Sequence, residues 1–326
     1  MKILYRVANA KVGSPVVPRN EEDPARQFGN LRNARAELRR RIKRIKKGMR
    51  QLIGTLQPAL VTNAATYTYD IDATKYNQIN LFIQRLLYSE LLDNPQGEFT
   101  NRWWLNANLS IAYEDGTADA LQSAKNMAQV EIVGAELSQA MRSVQIEQVM
   151  FSPGYQRRVG LVHSRVFNEM KGLSDSAKVD LSESLARSMA AGKGIRDVTK
   201  DVMARVDVTE SRAWRIARSE ITMAYRNATA AETDELNDDV YSGSDWVMGS
   251  LWWSALSSTT RKTHARKHGQ VLTTEEVRSF YSVDGNSINC LCSQSPILTN
   301  VKTGEIIQQE LVDKMIERRE QYLKVN

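Results

Sequence analysis

Two histidines and two cysteines are the residues of this 326-residue chain whose types and spacing point most directly to chemistry. His264 and His268 stand four apart in RKTHARKHGQVL, on one face of a short helix, and Cys290 and Cys292 follow about two dozen residues later. Imidazoles and thiolates are the ligands of tetrahedral zinc, so a His2Cys2 cluster can be drawn from the types alone. The spacing argues the other way. Cys-x-Cys is a tighter bite than Cys-x-x-Cys, and His268 directly precedes Gly269, where the helix should end. The expectation is therefore a hydrogen-bonded histidine turn with two small buried cysteines, no bound metal, no cofactor and no stoichiometric zinc in the purified protein. The metallopeptidase pattern His-Glu-x-x-His fails because position 265 is alanine.

Other catalytic patterns are missing as well. His163 lies in the helical stretch LVHSRVF, and the chain has no Gly-x-Ser-x-Gly and no phosphate-cradling glycine loop. Arg218, Ser219 and Glu220 are adjacent on a helix and point in different directions, so Arg218 and Glu220 are expected to tie that helix to its neighbours. No enzymatic role is expected and no residue is assigned a catalytic one.

Charge supplies a second kind of site. Net charge is +6 overall, yet residues 1–60 hold 15 Lys or Arg against 4 Asp or Glu, which leaves the remaining 266 residues acidic. The cations concentrate in LRNARAELRRRIKRIKKGMRQLIGTL, where ten basic residues meet one acid between positions 31 and 50. Leu31, Leu38, Ile42, Ile45, Met49, Leu52 and Leu56 draw a narrow helical seam along the same segment. The seam is expected to dock on a partner's helix. The cations Arg39, Arg40, Arg41, Lys43, Arg44, Lys46 and Lys47 would then face DNA phosphates. The seam lacks Trp and Phe, which argues against a membrane surface.

These residues need elements to hold them. Helical periodicity runs through 75–92, through 118–150 with a break at Gly134, through 156–171 and 175–191, and then from the AAGKG turn through Val206 and from Val208 to about Leu236. Asp207 and Glu210 look like a capping box at the start of that last helix. VTNAATYTYDID reads as a short strand, SDWVMGSLWWSAL as two small strands around Trp246, Trp252 and Trp253, and 305–324 as an amphipathic helix. The fold class is mainly α with a small α+β C-terminal part, a multi-helix core carrying an extended basic N-terminal helix. The organisation is read as a tail and basic helix (1–57), a mostly helical region (58–152), a core (153–300) and a C-terminal helix (301–326). No apolar run is long enough to span a membrane, and the first residues, MKILYRVANAKVGSP, are too weakly apolar for a secretory signal. Two cysteines one residue apart cannot staple a fold of this size.

From about Leu161 to Pro296 the order of pieces resembles the phage Mu F-like minor head proteins, also called head morphogenesis proteins. The pieces are SLARSMAAGKGIRDVTKDV, RAWRIARSEITMAYRNAT, LWWSAL, TTRKTHARKHGQVL and INCLCSQSP. Arg218, Glu220, Trp253, His264, Gly269, Cys290 and Cys292 are the matching structural positions. Two departures stand out. Ser257 and Ser258 occupy the region of a usual Asp, and Ser287-Ile288-Asn289-Cys290-Leu291-Cys292 replaces the usual His-Pro-x-Cys-Arg-Cys. The resemblance implies a low-copy structural protein of a tailed-phage head, inside the capsid near the portal vertex. It would be made in the host cytoplasm and contact the portal protein, the major capsid or other head subunits and double-stranded DNA, but no membrane. The rival readings are a nucleic-acid-acting enzyme (a nuclease or a toxin-like transferase) and a plain DNA-binding protein.

Overall fold

The computed structural model describes residues 11–61 and 66–325. The reading of the first residues as no secretory signal, and part of the VTNAATYTYDID strand, fall outside them. Helix dominates: ten α-helices and two small sheets form among the described residues, so the chain is mainly α with a small α+β C-terminal part. The helices are α1 (Phe28–Gly54), α2 (Ala73–Leu91), α3 (Asn106–Met127), α4 (Ala135–Ser143), α5 (Ile146–Phe151), α6 (Pro153–Ala190), α7 (Ile195–Asp239), α8 (Lys262–Ala265), α9 (Thr274–Ser282) and α10 (Gln309–Val325). The strands are β1 (Pro58–Val61), β2 (Thr66–Tyr69), β3 (Trp246–Trp253), β4 (Val271–Leu272) and β5 (Ser293–Asn300).

Two compact units result. One comprises the residues up to Leu31, Asn108–Leu161 and Ser219 onward; the other comprises Arg32–Ala107 and Val162–Arg218.

Several elements run longer than their local signals imply. The segments 156–171 and 175–191 form one helix, α6, because Met170, Leu173, Ala177, Leu181 and Leu185 keep a buried three-and-four spacing across the expected break. Gly172 costs a helix only about 1 kcal/mol, and the Ser174 hydroxyl donates back to the Met170 carbonyl within the same helix. Likewise α7 passes straight through Asp207. Val198, Val202, Val206, Ala213 and Ala217 are all buried, and the Asp207 carboxylate meets Lys46 Nζ at 2.5 Å rather than capping a new helix.

The three tryptophans lie on one strand, not two. Gly249 interrupts the apolar run in sequence, but in β3 it lets β4 close over the strand: a Cβ there would stand 2.7 Å from Val271. The sheet order is β4-β3-β5, antiparallel throughout, with Ser250 opposite both Leu272 and Pro296. Pro296 hides β5 in the sequence, since proline in a strand is confined to positions whose N–H is not needed. Leu251 and Trp253 face a large core with Met248, Ile297, Leu298, Val312 and Met315. Trp252 between them turns the opposite way, as strand alternation requires, into a small cluster with Val277, Cys290 and Cys292.

In the other unit α1 buries its seam within the chain itself. Of the seam, Leu38, Ile42, Ile45 and Met49 are each between 0% and 2% exposed, whereas Leu52 and Leu56 are half-buried and Ile53 takes the buried position at that end; Gly48 admits Leu86 of α2 so closely that a Cβ would meet it at 2.7 Å. Nearby, the Trp103 indole donates to the Leu91 carbonyl at 2.8 Å and stands edge-on to Phe167. The expectation that the seam docks on a partner is thereby corrected. A stripe only one or two side chains wide is enough for burial when α1 is closely packed by helices of its own chain.

Candidate functional site

The turn after β3 brings the histidines into place. Arg261 caps α8 in an extended conformation, and the chain returns to β3 through paired backbone bonds, Gly269 N–H to the Trp252 carbonyl and Trp252 N–H to the Gln270 carbonyl, both at 2.9 Å. Gly269 sits at φ +81°, and a Cβ there would meet the backbone nitrogen of Ile316 and the Met315 side chain at 3.0 Å. Only glycine satisfies both constraints. Asn289, at φ +54°, makes the corner that leads into Cys290, a conformation that asparagine tolerates.

Three of the four sequence-flagged ligands then converge. His264 Nδ1 is 3.3 Å from Cys290 Sγ and 3.6 Å from Cys292 Sγ, and the Cys292 N–H donates to Cys290 Sγ at 3.3 Å. All three side chains are buried and both cysteines are free. His268 does not join them: its Nδ1 accepts the Ser254 N–H at 3.0 Å, which puts the proton of the neutral ring on Nε2. Ser254 is the hub between the two imidazoles. Its hydroxyl donates to the His264 carbonyl at 2.7 Å and receives the Trp252 indole N–H at 3.1 Å.

Arg226, from α7, closes the cluster from the other side. Its Nη1 donates to the carbonyls of both Cys290 and Cys292 at 3.3 Å, and its guanidinium lies 4.3 Å from the centre of the Tyr281 ring. Tyr281 stacks on Trp252 and receives a hydrogen bond from Gln294. This buried cation biases the thiols. Burial pushes the Cys290 thiol up, but the hydrogen bond from Cys292, the Arg226 charge and His264 outweigh it and hold Cys290 well below its usual value. Cys292 is driven well above its own, first by its bond to Cys290 and then by burial. His268 is held down to about 4, by burial first and then by the charges of Arg318 and Arg319.

Of the other flagged positions, Trp253 is buried edge-on to His268, and Glu220 is buried in the field of Arg226, whereas Arg218 is partly exposed. Arg226, Ser254 and Tyr281 escaped the sequence reading. Arg226 resembles any helix cation in MAYRNAT, and only the fold reveals that it is buried against the Cys290 and Cys292 carbonyls and the Tyr281 ring.

The basic helix is a different kind of site. Ten cations against one acid would repel one another in an isolated helix, but α2, the turn just after it and α7 supply further acids. Arg41 is buried and meets Asp93 at 2.5 Å and Glu37 at 2.8 Å, Arg44 meets Glu90 at 2.7 Å, Arg40 meets Glu37 at 2.5 Å, and Lys46 meets Asp207. Arg39, Lys43 and Lys47 are exposed and make no ion pair among the described residues. They are spaced four apart, which puts them in one line on the water-facing side of α1.

Comparison with known proteins places one segment. Residues 179–295 match the family described as Phage Mu protein F like protein, so the family resemblance drawn from the ordered motifs is shown over those residues. An uncharacterized protein of Haemophilus influenzae (strain ATCC 51907 / DSM 11121 / KW20 / Rd) is 22% identical over 308 residues, 92% of this chain. The chain spans 63% of that relative's length. No solved structure matches.

Proposed function

We propose, from the match of residues 179–295 to the phage Mu protein F like family, that the chain is a structural minor head protein of a tailed phage, low in copy number and seated inside the capsid near the portal. The family match is the observation that carries this reading. No helix among the described residues is long and apolar enough to cross a membrane.

The DNA contact belongs to α1. Arg39, Lys43 and Lys47 are the three flagged cations whose charge is not already met by an acid, and DNA phosphates are the anions that a capsid interior supplies in quantity. Arg41, Arg44 and Lys46 instead hold α1 to its own unit, Arg40 pairs with Glu37 within the helix, and the four are not proposed as primary DNA contacts.

Co-assembly tests the head role. The chain, expressed together with portal and major capsid proteins of its own phage, is expected to sediment with assembled heads at a few copies per particle. Retention in the soluble fraction while heads form at normal yield and composition would contradict it.

A further inference from the structure

We propose that His264, Cys290 and Cys292 hold one soft divalent cation of the zinc class, bound by imidazole Nδ1 and two thiolates with a solvent oxygen at the fourth corner. The proposal reverses the expectation drawn from spacing, which treated His264 and His268 as the histidine pair, and it does not depend on the role in the head.

Geometry carries it. Zinc binds imidazole nitrogen at about 2.0–2.1 Å and thiolate at about 2.3 Å, so neighbouring corners of a tetrahedron lie about 3.5–3.8 Å apart. The Nδ1–Sγ separations of 3.3 and 3.6 Å fall on or just inside that edge, and the three donor atoms lie within 4.8 Å of one another. A few tenths of an ångström of adjustment would bring them around one ion. The chain has three histidines and two cysteines in all, and three of these five side chains meet at this one point. An imidazole nitrogen between two sulfurs can share a proton with only one of them at a time, whereas a cation satisfies all three together.

The surroundings suit a cation held by thiolates. His264, Cys290 and Cys292 are 2%, 4% and 3% exposed, so a bound ion would exchange slowly with solvent. Two thiolates and a divalent ion sum to zero charge, so the loaded site itself carries no net charge beside Arg226. Arg226 donates to the carbonyls of Cys290 and Cys292 rather than to their sulfurs, which fixes the Cys-x-Cys backbone without occupying the sulfurs. The Cys292 N–H directed at Cys290 Sγ stabilises thiolate charge in the loaded state. As each metal–sulfur bond forms, any proton still on that thiol passes to solvent and the sulfur keeps the electron pair. No fourth His, Cys, Asp or Glu joins the trio among the described residues, hence the solvent oxygen.

The full chain, purified under reducing conditions without chelator, is expected to carry about one zinc per chain by elemental analysis. After exchange into Co2+ it should show thiolate-to-cobalt charge-transfer absorption and the visible bands of a tetrahedral site. Cys290→Ser and His264→Asn should each weaken cobalt binding by tenfold or more, while His268→Asn keeps the full signal. Wild-type protein settles the matter even if a variant misfolds: folded wild-type chain with excess Co2+ and no charge-transfer band overturns the proposal. So does a cobalt spectrum that persists unchanged in folded Cys290→Ser.

Discussion

Helix α1 and the cluster around Cys290 handle charge in opposite ways. Along α1, apolar side chains fill one edge and Arg39, Lys43 and Lys47 stay in water. The Cys290 cluster takes a guanidinium, two thiols and two imidazoles out of water and meets them in part with carbonyls, ring faces and one another, while Arg226 Nε and Nη2 and the Nε2 atoms of His264 and His268 find no hydrogen-bond partner among the described residues. The difference predicts where each region is fragile. Exposed charge can be changed cheaply, whereas buried charge or a buried apolar edge cannot.

The largest effect should come from placing charge in the seam. Ile45 is fully buried, and Ile45→Asp is expected to cost more than about 4 kcal/mol, enough to unfold its unit under native conditions. Ile45→Ala should cost about 2–5 kcal/mol. Urea melts followed by tryptophan fluorescence would read both. An Ile45→Asp chain with an unchanged midpoint would mean that the edge is not buried and would return it to the role of a docking surface.

Acid should expose the second region. His268 is buried neutral with its value near 4, against 6.5 when free. The stability this lends is present above pH 6.5 and is lost as pH falls through about 4, by up to about 3 kcal/mol. Glu232 acts in the reverse sense. Burial raises it to about 7 from 4.5, so its contribution is present below pH 4.5 and fades as pH rises through 7. Comparing wild type with His268→Gln isolates the imidazole: the variant should lose less stability between pH 6.5 and 4. Parallel pH profiles would show that His268 is not desolvated as described.

How far each region was legible follows from the distance over which its information is spread. The α1 seam is local, so periodicity alone placed Leu38, Ile42, Ile45 and Met49 on one edge. What periodicity could not supply was the identity of the covering surface, because Leu86, Glu90 and Asp93 lie about forty to fifty residues away. The same distance hid the acids that pair with Arg41 and Arg44. Residue type flagged His264, Cys290 and Cys292, but their meeting depends on Gly269 turning the chain and on Arg226 anchoring the Cys-x-Cys backbone. A break was expected inside both α6 and α7, the second from a local cue, Asp207. The continuous burial on either side of each outweighed them.

The smallest effect on stability should accompany the largest effect on binding. Replacing Arg39, Lys43 and Lys47 with Gln should shift stability by less than about 0.5 kcal/mol, because these side chains pair with nothing among the described residues. The decisive measurement is the salt dependence of binding to double-stranded DNA of arbitrary sequence, made on wild type, on this triple variant and on Arg44→Gln. If the water-facing line of α1 meets phosphates, the triple variant should flatten the slope of log affinity against log salt by up to about 3. Arg44→Gln, which breaks only the pair with Glu90, should leave the slope as it is. A triple variant that melts normally and keeps the wild-type slope would contradict the assignment of α1 to DNA.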